Sequence, residues 1–169
     1  MNYEDIDIGE SLGPNDEERF FAILEKRSRI IRDGFDYWKS RCRPDGMPPR
    51  RADIDPFEIT AIMPNIVLLD VLNDPRDFRY RVVGTGVVEH LTADWTGHKV
   101  SEIPIQGPDG SIFSACNRVV TSKKPLLSRI PYVGPHAEYL SGEDIILPLV
   151  DDEGAVEKLL AFVAYINKR

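Results

Sequence analysis

The chain has 169 residues, 42% of them hydrophobic, and a formal net charge of −7. That length buries one sizeable core and is short for two full-sized domains, and the acidic balance argues against a surface given over to nucleic acid. No run approaches the ~20 apolar residues that cross a bilayer, and the acidic start MNYEDIDIGE lacks the basic and apolar regions of a secretory signal, so the expectation is a cytoplasmic protein with neither membrane nor nucleic-acid partners.

Charge is uneven along the chain. Residues 1–18 carry seven acids and no Lys or Arg, whereas residues 19–51 carry ten Lys or Arg against four acids. Residues 1–15 mix Gly, Pro and acids without apolar periodicity and read as a flexible acidic tail. Residues 16–47 then form an N-terminal amphipathic segment, and 48–169 the main domain. Asn15 or Asp16 can cap a helix that opens on Glu17 and Glu18, where acids suit the positive helix end. The apolar pairs Ile23-Leu24, Ile30-Ile31 and Tyr37-Trp38 recur at seven residues, and Phe20, Phe35 and Cys42 widen the stripe. An unbroken helix over 16–42 is about 40 Å long at 1.5 Å per residue, longer than the sheet of a domain this size, which predicts a bend at the helix-weakening Gly34. The stripe either covers the domain's own core or pairs with a second chain through Phe20, Leu24, Ile31 and Trp38.

Pro and Gly break the pattern in RPDGMPPRRADIDP, and Asp55-Pro56 reads as a helix cap with a first-turn proline before a short helix over 57–63. Ile66–Leu72 and Phe78–Val83 read as a hairpin around Asn73, Asp74 and Pro75. Short helical turns suit Val87, Val88, Leu91, Trp95, Val100 and Ile103. Ile112, Phe113, Cys116, Val119 and Val120 share one face of a helix over 110–122, closed by Pro125. Three strands end the chain, at 125–133, 139–150 and 156–166, the last two joined by a turn at Asp151–Gly154. The order specifies an α+β fold: a five-stranded antiparallel sheet with helices on one face.

Taken as an ordered set, DPFEITAIMPNIVLLDV, FRYRVVGTGVVEHLTADWTGHKVSEI and EDIILPLVDDEG resemble a bacterial PAS domain family common in alphaproteobacteria. The likeness extends from about Tyr37 to Tyr165. It implies a PAS fold, a sheet clasped by helices often around a cavity for a metabolite, haem or flavin, with a sensory or relay role and frequent dimerisation through a flanking helix. It carries no ligand and no fixed set of binding residues. Haem-binding members commonly ligate iron from the long helix, and residues 110–122 contain no histidine. Cys116-Asn117-Arg118 is not the Asn-Cys-Arg order of the photoreceptor members, so haem and flavin are both disfavoured and the cofactor is left unknown.

Other chemistry finds little support. Gly84-Thr85-Gly86 has Glu89 where a dinucleotide fingerprint needs its third glycine, and suits a tight strand-to-helix turn. His90, His98 and His136 form no HExxH pair. Cys42 and Cys116 show no disulfide or zinc spacing and read as buried small hydrophobes. Lys26, Arg27, Arg29 and Arg32 read as a solvated helix face. Arg79 and Arg81 alternate with Phe78, Tyr80 and Val82, and either grip an anionic ligand or pair with acids across the strand.

The leading expectation is a non-enzymatic sensory domain that binds a small molecule in a pocket drawn from Tyr80, Val82, Val88, Leu91, Trp95, Phe113, Cys116 and Arg118, with no catalytic or metal residues. Its partners would be a second copy of the chain and a signalling protein. A ligand-free interaction module dimerising through Leu24, Ile31 and Trp38 is the alternative, and a small hydrolase or isomerase the third reading.

Overall fold

A computed structural model describes residues 6–7, 14–104, 106–107, 109–131, 135 and 139–167. Its centre is an antiparallel sheet in the order β1-β4-β5-β6-β2-β3. The five expected strands are present: β2 (Ile66–Leu72), β3 (Asp77–Val83), β4 (Leu126–Pro131), β5 (Tyr139–Val150) and β6 (Val156–Asn167). A two-residue strand from the segment read as a tail, β1 (Ile6–Asp7), pairs with Leu126 and Leu127 at the β4 edge.

Alternation along the strands divides the sheet into two apolar faces. Ile66, Leu68, Leu127, Ile145, Leu147, Leu160 and Phe162 look one way; Val67, Leu69, Phe78, Tyr80, Leu126, Ile146, Leu159 and Ala161 look the other. The second face is covered by a helical turn, α3 (Thr85–Val88), a 3-10 turn at Val100–Glu102 and α4 (Ser111–Ser122), whose Ala115, Cys116 and Val119 are buried. The first face is covered by the N-terminal segment.

That segment is not one bent helix. It is two helices, α1 (Pro14–Leu24) and α2 (Arg29–Arg41), and the break falls at residues 25–28 rather than at Gly34. A carboxylate from the sheet accounts for the position. Glu143, buried on β5, accepts from the Ser28 backbone N–H at 3.2 Å and lies 3.5 Å from the Arg27 guanidinium. It thereby meets one of the backbone donors left over where α2 begins. Arg129 on β4 completes the cluster, 2.8 Å from Glu143. Arg27 is therefore buried, which corrects its assignment to a solvated basic face; Lys26, Arg29 and Arg32 are exposed as expected.

Gly34 has a different function. A Cβ there would stand 2.4 Å from Phe162 Cδ2, so its lack of a side chain lets α2 press onto β6. Phe20, Leu24, Ile31 and Trp38, named as a dimer face, are all buried in this packing, and Trp38 donates its indole N–H to the Pro148 carbonyl at 2.9 Å. The seven-residue repeat satisfies the chain's own sheet. These four side chains, expected to face a second chain, are directed at the chain's own sheet in this arrangement and keep at most 6% of their surface exposed.

Between α2 and β2 the expected helix over 57–63 is instead two 3-10 turns, Pro56–Ile59 and Met63–Asn65. Asp55 caps the first by accepting from Phe57 N–H. The Asp151 turn forms as read, with Gly154 at φ 84° and Asp151 Oδ1 accepting from Glu153 and Ala155 N–H.

Candidate functional site

Between the second face of the sheet and the helical layer lies a cavity of ≈ 100 Å³. Its walls come from every central element: Val67 and Leu69 on β2, Tyr80 and Val83 on β3, Ile146 on β5, Ala161 and Val163 on β6. Val87 and Leu91 close it from α3 and the loop beyond, Ile112 and Cys116 from α4.

Of the sequence-derived pocket residues, Tyr80, Leu91 and Cys116 line this cavity, and the other five do not. Val82 fails because the β2–β3 pairing steps from Leu68↔Val82 to Leu69↔Tyr80, leaving Arg81 as a bulged extra residue. A bulge resets the alternation of the strand that carries it. Val83 therefore takes the inward position and Val82 turns to the opposite face, 39% exposed. Val88 follows Val87, which is the residue of α3 that points in. Phe113 packs edge-on to Phe78 at 5.2 Å, and Trp95 edge-on to His98 at 5.7 Å, both at the margin of the apolar layer. Arg118 is half-buried on α4 and is not part of this cavity's described lining.

Polar groups gather in one part of the cavity, and sequence reading missed most of them. Tyr80 donates its hydroxyl to Gln106 Oε1 at 2.6 Å, both side chains buried. Asp144 accepts from Ser128 Oγ, its cross-strand neighbour on β4. Tyr165 on β6 lines the cavity under the His90 ring, which stacks on it at 3.8 Å and 9° from parallel while His90 Nδ1 lies 3.0 Å from the Gly86 carbonyl. Gln106 belongs to an irregular loop, and Asp144 and Tyr165 to strands apolar on both faces, so no periodicity marks them. Only Asp144's even spacing from Ile146 distinguishes it from Glu143, which serves the other face.

Burial governs the two titratable groups deepest in the wall. Desolvation, reinforced by the Asp144 charge, pushes the Cys116 thiol far above its ordinary range. Desolvation likewise raises the Tyr80 phenol, with Cys116 and Asp144 adding to it and the Gln106 hydrogen bond opposing. Both are neutral near pH 7. That state suits packing and hydrogen bonding; a nucleophile or base would need the reverse shift.

The remaining candidates have structural positions. Arg79 stands opposite Asp70 in the β2–β3 register, and Arg81 Nε is 3.7 Å from the Asp70 carboxylate, which also meets Lys158 Nζ at 2.5 Å. Both arginines thus lie on the face away from the cavity; Arg81 pairs across the strand with Asp70, and Arg79 shares that face by register. Gly84 occupies the expected tight turn: its N–H donates to Ile66 O, and a Cβ would lie 2.4 Å from the Pro64 carbonyl oxygen. His136 falls outside the described residues. Among the described residues no group of three or more His, Cys, Asp or Glu gathers as metal ligands, and no helix is long and apolar enough to cross a membrane.

A family model described as a PAS domain matches residues 26–164. No curated protein matches the chain. The solved structure of an RNA-binding light-oxygen-voltage receptor is similar over 72% of this chain at 16% identity and a TM-score of 0.49; the chain spans 36% of that receptor.

Proposed function

The chain belongs to the PAS domain family, and from that premise we propose that it is a non-enzymatic sensory domain whose cavity between the sheet and α3–α4 takes a small molecule. The observation that carries this reading is the cavity itself: apolar walls from four strands and two helices, with a few polar side chains converging in one part, the usual composition of a small-molecule site. Its wall includes α3 and the Leu91 loop, where the backbone N–H groups of residues 87–91 all donate to carbonyls within residues 84–88 and none to the sheet, so this short unit can shift without breaking strand pairing. A ligand that prefers one arrangement of this lid shifts the population toward it by its differential affinity, and a protein partner reads the shifted surface. Dimerisation through the α1–α2 stripe, the basis of the alternative reading, is disfavoured by the burial of that stripe within the chain.

Native mass spectra of freshly purified protein, beside denaturing spectra of the same sample, test the proposal. The expected result is an excess mass lost on denaturation and absent from Ala161→Phe, which fills the cavity. A bare mass, combined with a melting temperature that no member of a small-molecule panel raises, would overturn it.

A further inference from the structure

Gln106 is a buried polar side chain in the cavity wall, 6% exposed, and its own backbone N–H is tied to the Ile103 carbonyl at 3.0 Å. Tyr80 orients its side-chain amide. The 2.6 Å separation of Tyr80 Oη from Gln106 Oε1 is an O–H···O length and short for an N–H donor, so the hydroxyl takes the carbonyl end of the amide. The amide nitrogen then carries two N–H donors, and among the described residues neither meets an acceptor. A buried donor without a partner costs free energy, which an occupant bringing an acceptor recovers. Much of the remaining wall is aliphatic, with Val67, Leu69, Val87 and Ala161 prominent. At ≈ 100 Å³ the space is on the scale of the engineered protein cavity of about 150 Å³ that binds benzene.

Building on the ligand-binding reading above, we infer that the cavity takes a small apolar carbonyl compound, of the ketone, ester or amide class and about one ring in size, whose oxygen accepts from Gln106 Nε2. The hydrocarbon body lies against the aliphatic wall. Gln106 is the group that distinguishes such a compound from a hydrocarbon of the same shape, because the hydrocarbon leaves the amide donors buried and unpaired.

NMR spectra of the full chain, following the methyls of Val87, Ala161 and Val163 and the side-chain amide of Gln106 during titration with cyclopentanone and methylenecyclopentane, test this. The two probes share a ring and differ only in an oxygen against a CH₂. Both are expected to move the methyls, and cyclopentanone alone to shift the Gln106 amide protons downfield. Affinity is compared as the ratio of the two dissociation constants, which cancels the shared ring. Tyr80→Phe keeps the amide donor and is expected to keep the wild-type ratio. Adding Gln106→Met to Tyr80→Phe removes the donor without stranding the tyrosine hydroxyl, and is expected to cost cyclopentanone about five- to tenfold relative to methylenecyclopentane, the scale of one hydrogen bond. If the double variant does not fold, the wild-type amide signal decides alone. Cyclopentanone that moves the methyls but affects the Gln106 amide no more than methylenecyclopentane does, or a ratio unchanged by Gln106→Met, overturns the inference and leaves the cavity reading standing. No methyl moved by either probe overturns both.

Discussion

Replacing Gly34 by alanine adds a single methyl group to the buried side of α2, where a Cβ would stand 2.4, 2.6 and 2.8 Å from Cδ2, Cγ and Cε2 of Phe162. Relaxed carbon contacts lie at about 3.5–4.0 Å, so the ring or the helix must retreat by roughly 1 Å. Phe162 is fully buried at the centre of β6 and cannot swing toward solvent. Overpacking of this kind costs about 1–3 kcal/mol, against which alanine recovers up to ~1 kcal/mol of helix propensity. The net expectation is a loss of about 1–2 kcal/mol, or roughly 2–8 °C in melting temperature for a chain of this size. Urea and thermal unfolding followed by circular dichroism measure it, and Phe162→Leu in the same background is expected to relieve part of the loss through a coupling visible in the double-mutant cycle. If Gly34 were only a flexible bend, alanine would instead stabilise the helix by up to ~1 kcal/mol. A Gly34→Ala protein as stable as wild type or more so would refute the close-packing account.

Glu143→Ala leaves Arg27 buried without its counter-charge and is expected to cost about 3–5 kcal/mol in urea unfolding, with Arg27→Met in the same chain recovering much of it. Ile31→Glu places a carboxylate in the apolar layer, so it is expected to abolish the cooperative melt; a protein that stays folded and changes only its elution volume would return the stripe to a dimer interface. The raised Cys116 and Tyr80 groups keep protons in the folded state that the unfolded chain releases. The stability they contribute is fully present below the ordinary thiol value of 9.0 and is lost as pH rises above it, and Cys116→Ala is expected to make the alkaline decline shallower. By the same cause, Cys116 is expected to resist iodoacetamide at pH 8 until the protein unfolds, as read by mass spectrometry of the alkylated chain.

Most of the fold was legible because local signals agreed with it. Turn residues and β-branched runs marked five strands, and the spacing of Ile112, Cys116 and Val119 marked α4. The α1–α2 stripe was legible as a stripe; what it faces was not, since Ile31 and Trp38 present the same periodicity to a sheet as to another helix. The break at residues 25–28 depends on Glu143, more than a hundred positions away, and a tertiary carboxylate leaves no local trace. Val82 was misplaced because the Arg81 bulge breaks a period-two pattern that looks continuous in FRYRVV. Tyr80, Leu91 and Cys116 were found as apolar or aromatic positions on the covered face. Gln106, Asp144 and Tyr165 were not, because the cavity forms where a loop and two doubly buried strands converge.

Diffraction from crystals pressurised with xenon tests the central claim most directly, since an apolar cavity takes up the gas without any assumption about the natural ligand. The account predicts xenon density between Cys116, Ile146 and Ala161, absent from Ala161→Phe. Wild-type crystals with no xenon there, and with α4 side chains packed into the space, would contradict it.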